Sequence, residues 1–184
     1  MHSFNKGQDL DFIVATHEDD AGALARISAI SSSFPRAHII VVDSSGEQYR
    51  DGARLADIIA SLGNQASYVR CTKACRYTCY QHALSQLTGR YVAFRHNGQI
   101  IDETRTARGF AQAIHADLLI THPGQTVAGL AENTQPLQAV VFKREFVEQQ
   151  QPFSDPLTFN EQDFIASVLQ SAHCQTGGEA MAAA

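Results

Sequence analysis

No stretch of this chain carries enough uninterrupted apolar residues to cross a membrane. The longest runs, such as Ile39 to Val42, are strand-sized, against the ~20 residues a spanning helix needs. Met1 to Leu10 is polar and lacks the apolar stretch of a signal peptide, so a cytoplasmic protein without a transmembrane segment is the expectation. Basic residues are scarce: 14 Lys and Arg face 19 Asp and Glu, a net charge of −5, and that balance favours neither nucleic acid nor an anionic lipid surface. The glycine-rich phosphate-binding patterns are missing. No G-x-G-x-x-G follows the first apolar run and no G-x-x-x-x-G-K-S/T occurs anywhere, which leaves a dinucleotide-binding or P-loop protein with little support. Internal repeats and linker-like segments are also absent. One domain is therefore predicted over residues 1–174, with residues 175–184 a disordered tail, because TGGEAMAAA offers nothing to pack.

Cysteine is sparse, and its spacing selects no metal. Cys71, Cys75 and Cys79 recur at every fourth residue, with His82 three further on and Cys174 far away. This matches neither the two-residue spacing of zinc pairs nor a common ferredoxin pattern. On a helix the three would share one face, and the expectation is a buried, reduced, metal-free stripe.

What is present is apolar residue in short, regularly spaced runs. At 44% hydrophobic and 18% charged the composition is that of a globular domain, and a chain of this length can bury roughly 70% of its unfolded surface. Leu10 to Thr16 (LDFIVAT), His38 to Val42, Ala66 to Arg70, Tyr91 to Phe94, Asp117 to Thr121 and Leu137 to Phe142 read as strands. Between them, helices are predicted from Asp19-Asp20 to Ser33, over Leu55 to Leu62, Ala74 to Leu87, Thr104 to His115, Arg144 to Gln149 and Glu161 to Ala172; Gly124 to Gln135 is polar and loop-like. Strands alternating with helices of ten or more residues require crossovers. An α/β fold follows, with a mainly parallel, doubly wound sheet whose ligands bind beyond the carboxyl ends of the strands.

Several of those strand ends carry a pattern. IVATHED over Ile13 to Asp19, HIIVVDSSGE over His38 to Glu47 and LTGRYVAFRHNGQIID over Leu87 to Asp102 together resemble the amino-terminal half of inverting family-2 glycosyltransferases, which have the GT-A fold, a Rossmann-like nucleotide-sugar-binding domain. Those enzymes read I-I-P-T-Y-N in the first strand, V-V-D-D-G-S after the second and a-r-G-e-Y-i-a-F-l-D-x-D before the metal site. LQAVVFKREFVEQ is similar to the family's strand and helix near the acceptor, and Asn160 to Phe164 is similar to its E-D-x-D-L/F segment, which supplies the catalytic base. The resemblance spans residues 10 to 172 in the right order. One departure stands out: aligning Phe94 puts His96 and Gly98 where the family has its two metal-ligating aspartates.

The resemblance implies transfer of a sugar from a UDP-linked or similar nucleotide sugar to an acceptor hydroxyl, with the acceptor unidentified. The same residues fit a catalytically inactive relative that binds a nucleotide sugar or serves a protein partner or a second copy. No metal ligand and no cofactor is predicted; Mg²⁺ or Mn²⁺ would enter only if another carboxylate rebuilt a site. Glu161, with Asp163, stands in the base position, although both also suit a helix start capped by Asn160. Asp43 is open to two roles, accepting a base N–H or ribose hydroxyl, or capping its own turn through the Ser45 and Gly46 amides. Thr16 and His17 can offer backbone groups to a base, His17 being equally at home as a locally bonded loop histidine. Arg95 and His96 are the candidates for phosphate, and Arg95 is open to a second role, pairing with a carboxylate at the strand end.

Overall fold

The computed structural model describes residues 9–50, 55–96, 101–110, 118–120, 136–171 and 174–176. Strand β1 (Leu10–Thr16) is buried at all seven positions, as a central parallel strand must be. Asp19 caps helix α1 (Asp20–Ser33) by accepting from the Gly22 amide at 2.8 Å. Ala23, Ile27 and Ile30 form its buried stripe, and the Phe34 amide closes on the Ile30 carbonyl just before Pro35. Strand β2 (His38–Asp43) follows, then α2 (Glu47–Arg50), α3 (Leu55–Ser61), a 3₁₀ turn at Gly63–Gln65 and β3 (Ala66–Arg70). After α4 (Arg76–Leu84) come β4 (Tyr91–His96), α5 (Glu103–Phe110) and β5 (Leu118–Ile120). A 3₁₀ turn at Pro136–Ala139 leads into β6 (Val140–Lys143), α6 (Arg144–Gln150), α7 (Glu161–Ser171) and β7 (Cys174–Thr176).

The sheet runs β3-β2-β1-β4-β6-β5-β7. Pairs β1–β2, β2–β3, β1–β4 and β5–β7 are parallel, while β6 is antiparallel to β4 and β5. Pleating divides the core in two. Leu10, Phe12 and Val14 pack with α1, α3 and α5 on one face; Ile13, Ala15, Val92 and Phe94 pack with α4, α6 and α7 on the other. The chain builds outward from β1 through β2 to β3 and then returns to β1's other side with β4, so the order reverses at β1–β4. The predicted α/β doubly wound, mainly parallel sheet is therefore the observed one. Among the described residues no helix is long and apolar enough to cross a membrane.

Several boundaries differ from the sequence reading, three of them with consequences for the sheet and the cleft. The first half of the segment predicted as strand from Leu137 is a buried 3₁₀ turn, so β6 begins only at Val140. Helix α4 starts at Arg76, not Ala74: Cys71 still extends the β3 ladder by donating to the Asp43 carbonyl at 2.9 Å, and Cys75 keeps an extended backbone. The cysteines thus do not share a helix face, and only Cys79 lies in the helix. Gln175 and Thr176, assigned to the tail, pair with Leu119 and Ile120 as part of β7, because the edge of β5 offers backbone partners that side-chain pattern does not reveal. The rest of the tail, the end of the α5 prediction beyond Phe110 and the polar segment 124–135 lie outside the described residues.

The amino-terminal edge is locked where β4 enters beside β1. Asp11 is buried and accepts from the Thr88 and Gly89 amides at 2.6 and 2.8 Å, and the Asp9 carbonyl accepts from Tyr91 N at 2.8 Å. A β-carbon on Gly89 would meet the Asp9 carbonyl oxygen at 2.7 Å and its carbon at 2.9 Å, both backbone atoms that cannot rotate away. Gly89→Ala is expected to destabilise the domain by about 1–3 kcal/mol, read as a lowered urea midpoint with an unchanged slope.

Candidate functional site

The carboxyl ends of β1, β2 and β4 lie side by side, with Thr16 in register with Asp43 and Ala15 with His96. Beyond them opens a cavity of about 240 Å³ lined by Ala15, Thr16, His17, Ser44, Ala74, Arg76, Cys79 and His96. It sits at the strand-order reversal, where open α/β sheets bind ligands. Thr16, His17 and His96 are thus brought together as the sequence implies. The loops are tied to one another: Ser44 donates to the Thr16 carbonyl from its amide and its hydroxyl, at 3.0 and 3.1 Å, and Glu18, in a left-handed conformation at φ 49°, donates to Ser45 Oγ at 2.7 Å. Both lone pairs of the Thr16 carbonyl are engaged, so that carbonyl is not free for a base. His17 is exposed, and its Nδ1 lies 3.1 Å from the Ser44 carbonyl, the local bond open to a loop histidine.

Asp43 and Arg95 stand outside the cavity wall. Asp43 is buried; its Oδ1 accepts from the Ser45 amide and hydroxyl and its Oδ2 from the Tyr68 hydroxyl at 2.6 Å. It caps its turn through Ser45, the second of the two roles open to it in the sequence. Arg95 is completely buried on the face opposite Phe94, its guanidinium 5.3 Å over the Phe12 ring. It is paired through both carboxylate oxygens with Glu103, at 2.8 and 3.1 Å, and donates to the Phe94 and Gln138 carbonyls. Arg95 as a phosphate ligand is therefore corrected: its second role, pairing with a carboxylate, holds, because an arginine on the inward side of a central strand must find all its partners inside.

His96 is nine-tenths buried and doubly clamped by Gln138, whose Oε1 accepts from the His96 amide and whose Nε2 donates to ring Nε2, both at 3.0 Å. Arg76, at the start of α4, donates to the same ring nitrogen from Nη1 at 3.0 Å. Two donors converge on Nε2, which fixes it as an acceptor and places the ring proton on Nδ1. Arg26 of α1 reaches the His96 carbonyl at 3.3 Å.

Arg76 also ties the cavity to Glu161. Its Nη2 lies 2.9 Å from Glu161 Oε1 and 2.8 Å from the Tyr77 hydroxyl, which in turn donates to Glu161 Oε1 at 3.0 Å. The Leu137 amide donates to Oε2 at 3.3 Å. Burial works against the charge of Arg76, but the Tyr77 hydroxyl and the Glu161 carboxylate outweigh it and hold its pKa above the ordinary arginine value. Asn160 caps α7 through the Gln162 and Asp163 amides, leaving Asp163 exposed on the first turn. A second, more open cavity of about 470 Å³ lies on the far side of Glu161, between Tyr77 and residues 158–162.

Arg76, Tyr77 and Gln138 are the residues that sequence reasoning missed. The signal was a lone Arg-Tyr pair inside a cysteine-rich segment, hidden by reading the helix two residues too long. The thiols, free at Cys71, Cys75 and Cys79, differ in kind. Burial and then Cys71 push Cys79 up to about 12. Burial alone would raise Cys75 too, yet the Thr78 amide and hydroxyl, the Tyr77 amide and Arg76 hold it below its usual value.

Among the described residues no three His, Cys, Asp or Glu side chains cluster as a ligand set, and His96 Nε2 already accepts from a guanidinium that would repel a metal. Gly98 lies outside the described residues, but a glycine brings no side-chain ligand.

Sheet order, switch-point cleft and two-faced helical cover are those of the GT-A fold, shared by glycosyltransferases and nucleotidyl transferases. Among solved structures, the chain is similar to residues 1–349 of TarS from S. aureus, at a TM-score of 0.66 and 15% identity over 91% of this chain and 57% of that one. It is likewise similar to a mannosyltransferase from Pyrobaculum calidifontis in complex with GDP-Man and Mn²⁺, at 0.67 and 14%, covering 91% and 54%. A Methanothermobacter nucleotidyl transferase follows at 0.59 and 14%, covering 89% and 83%. The chain spans little more than half the length of TarS 1–349 and of the mannosyltransferase. No family model and no curated sequence matches it.

Because Arg95 and Glu103 are both fully buried, Glu103→Gln leaves an uncompensated interior charge and is expected to cost about 3–5 kcal/mol by chemical denaturation. Replacing both, Arg95→Met with Glu103→Leu, should cost under about 1 kcal/mol.

Proposed function

We infer that the chain binds a nucleotide sugar in the cleft beyond β1, β2 and β4 and passes the sugar to an acceptor hydroxyl without a divalent cation. The observation that carries this reading is the convergence of Thr16, His17, Ser44, Arg76 and His96 on one cavity at the switch point of a GT-A sheet. At about 240 Å³ it is smaller than the ~300–1,000 Å³ of whole-ligand sites, and suits the nucleotide portion of a donor rather than the entire molecule. In the reaction the acceptor oxygen bonds to the anomeric carbon as the bond from that carbon to the diphosphate oxygen breaks. The electron pair leaves on the nucleoside diphosphate, and the hydroxyl proton goes to Glu161, which borders the second cavity. Asp163, exposed two residues on in the same first turn, sets its negative charge at the positive end of the helix and is not part of this proton transfer.

One specific observation favours a non-catalytic reading. Glu161 is only 5% exposed, and in this state both of its oxygens are engaged by Arg76, Tyr77 and Leu137, so the base is not free. A relative that binds a nucleotide sugar without turnover, or presents this face to a protein partner, would look the same.

Calorimetric titration of UDP, GDP and their sugars separates these. Binding is expected with and without Mn²⁺, the affinities differing by less than about tenfold, or roughly 1.4 kcal/mol; a larger metal dependence would show that other carboxylates rebuild a metal site. Glu161→Gln then distinguishes enzyme from binding module. If the protein turns over a nucleotide sugar, the variant should keep its fold and bind the donor at least as tightly while losing 10² to 10⁴ in rate, about 3–5 kcal/mol of barrier. Unchanged turnover would remove Glu161 from the chemistry.

A further inference from the structure

We propose that Arg76 is a cation shared between two anions, the diphosphate of the donor and the carboxylate of Glu161, so that donor binding is what releases the base. This rests on the nucleotide-sugar reading above.

Position is the first argument. Arg76 Nη1 is held 3.0 Å from the ring of His96, the residue that stands where the resembling enzymes carry a metal-ligating aspartate. A positive group therefore already occupies the neighbourhood in which those enzymes hold a cation. It is presented there by an acceptor that binds an arginine better than it would a hard metal ion. His96 cannot swing aside, since Gln138 grips both its backbone and its ring. Arg95 is sealed on the opposite face of the sheet and plays no part, and Arg26 of α1 donates to the His96 carbonyl.

Access and valency come next. The Arg76 side chain is 33% exposed and lines the same cavity as Thr16, His17 and Ser44, whereas the Glu161 side chain is 5% exposed. A guanidinium has five N–H donors. Those used here go to His96, Tyr77 and Glu161, and among the described residues Nε–H and one N–H of Nη1 have no partner. Arg76 can thus donate to a phosphate oxygen from the cavity side, through Nε–H or the remaining Nη1 N–H, before it lets go of anything.

The third argument is competition. A diphosphate carries more charge than one carboxylate and draws the guanidinium toward itself. Each increment of that pull weakens the 2.9 Å contact with Glu161. A carboxylate losing its cation becomes a stronger base, and it does so only when the leaving group is seated. Tyr77, which accepts from Arg76 and donates to Glu161, keeps the carboxylate in place while the arginine moves.

The test compares mono- and diphosphates, because only the second phosphate separates a phosphate contact from a base contact. UMP, UDP, GMP and GDP are titrated calorimetrically in EDTA against wild type, Arg76→Met, Arg76→Lys and Glu161→Gln, each checked for folding by thermal melt. Wild type is expected to prefer the diphosphate of at least one pair by tenfold or more. Arg76→Met should reduce that preference to within about twofold of unity with little change in monophosphate affinity, and Arg76→Lys should keep part of it. Glu161→Gln, which removes the competing anion, should strengthen diphosphate binding severalfold and leave the monophosphate unchanged. A preference that survives Arg76→Met overturns the phosphate role, and diphosphate affinity unmoved by Glu161→Gln overturns the sharing. Should Arg76→Met not fold, Arg76→Lys and Glu161→Gln decide the same two points. If wild type binds none of the four nucleotides, the nucleotide-sugar reading itself fails and takes this inference with it.

Discussion

An arginine with no solvent contact must have every donor answered by the protein, and Arg95 sets that demand at the centre of the sheet. Its partners come from three places: Glu103 at the start of α5, the Phe94 carbonyl on its own strand and the Gln138 carbonyl in the turn before β6. Meeting them fixes where α5 begins and where the chain re-enters beside β4. Gln138, once placed, uses its side chain to clamp His96, and His96 in turn presents an acceptor to Arg76. The floor of the cleft is thus built on a buried ion pair that never faces the ligand. Such a pair is weak evidence for net stability, since its desolvation offsets much of its attraction, but it specifies register strongly, because any slip leaves a charge stranded.

The strands and their order were legible because their signal is local. LDFIVAT and HIIVVD are apolar on both faces, which a parallel strand covered by helices requires, and the helical spacings between them imply crossovers. The cleft followed from topology alone. What did not show was anything set by a partner distant in sequence. Cys71 joins β3 through the Asp43 carbonyl, and that backbone bond shortens α4 although residues 74 and 75 carry no helix-stop signal. Gln138 reads as part of a strand by composition, yet its carbonyl is required by Arg95. Arg95 itself occupies a motif position next to His96, and sequence adjacency hides the fact that neighbours on a strand point to opposite faces. Arg95 reads as a phosphate ligand in the sequence for that reason, yet its side chain is fully buried and paired with Glu103.

A tethered cation behaves differently from a metal ion. A divalent ion held by carboxylates brings two positive charges, arrives from solution and leaves its ligands behind when it goes; its presence depends on concentration rather than on the state of the base. Arg76 brings one charge, is always present and must satisfy someone at all times. The nearest anion to Arg76 is Glu161, so this one side chain links the cavity at the ends of β1 and β4 to the second cavity beside Glu161.

That connection bears on whether the site is a relic. A cleft drifting without function would be expected to lose the geometry of its charged groups first, since exposed ion pairs contribute little to stability and nothing maintains them. Here the opposite holds. Glu161 is buried and receives three donors, from Arg76, Tyr77 and Leu137. Tyr77 is packed against Phe159 at 4.7 Å and stacked near Phe153, which fixes the hydroxyl that spans the arginine and the carboxylate. Holding a carboxylate this way in a largely desolvated position is costly unless each partner is kept in place. The contacts that engage both Glu161 oxygens run through Arg76, so on the reading proposed above an anion seated on Arg76 changes the surroundings of the carboxylate, and a group arranged to respond to a ligand differs from one merely left over.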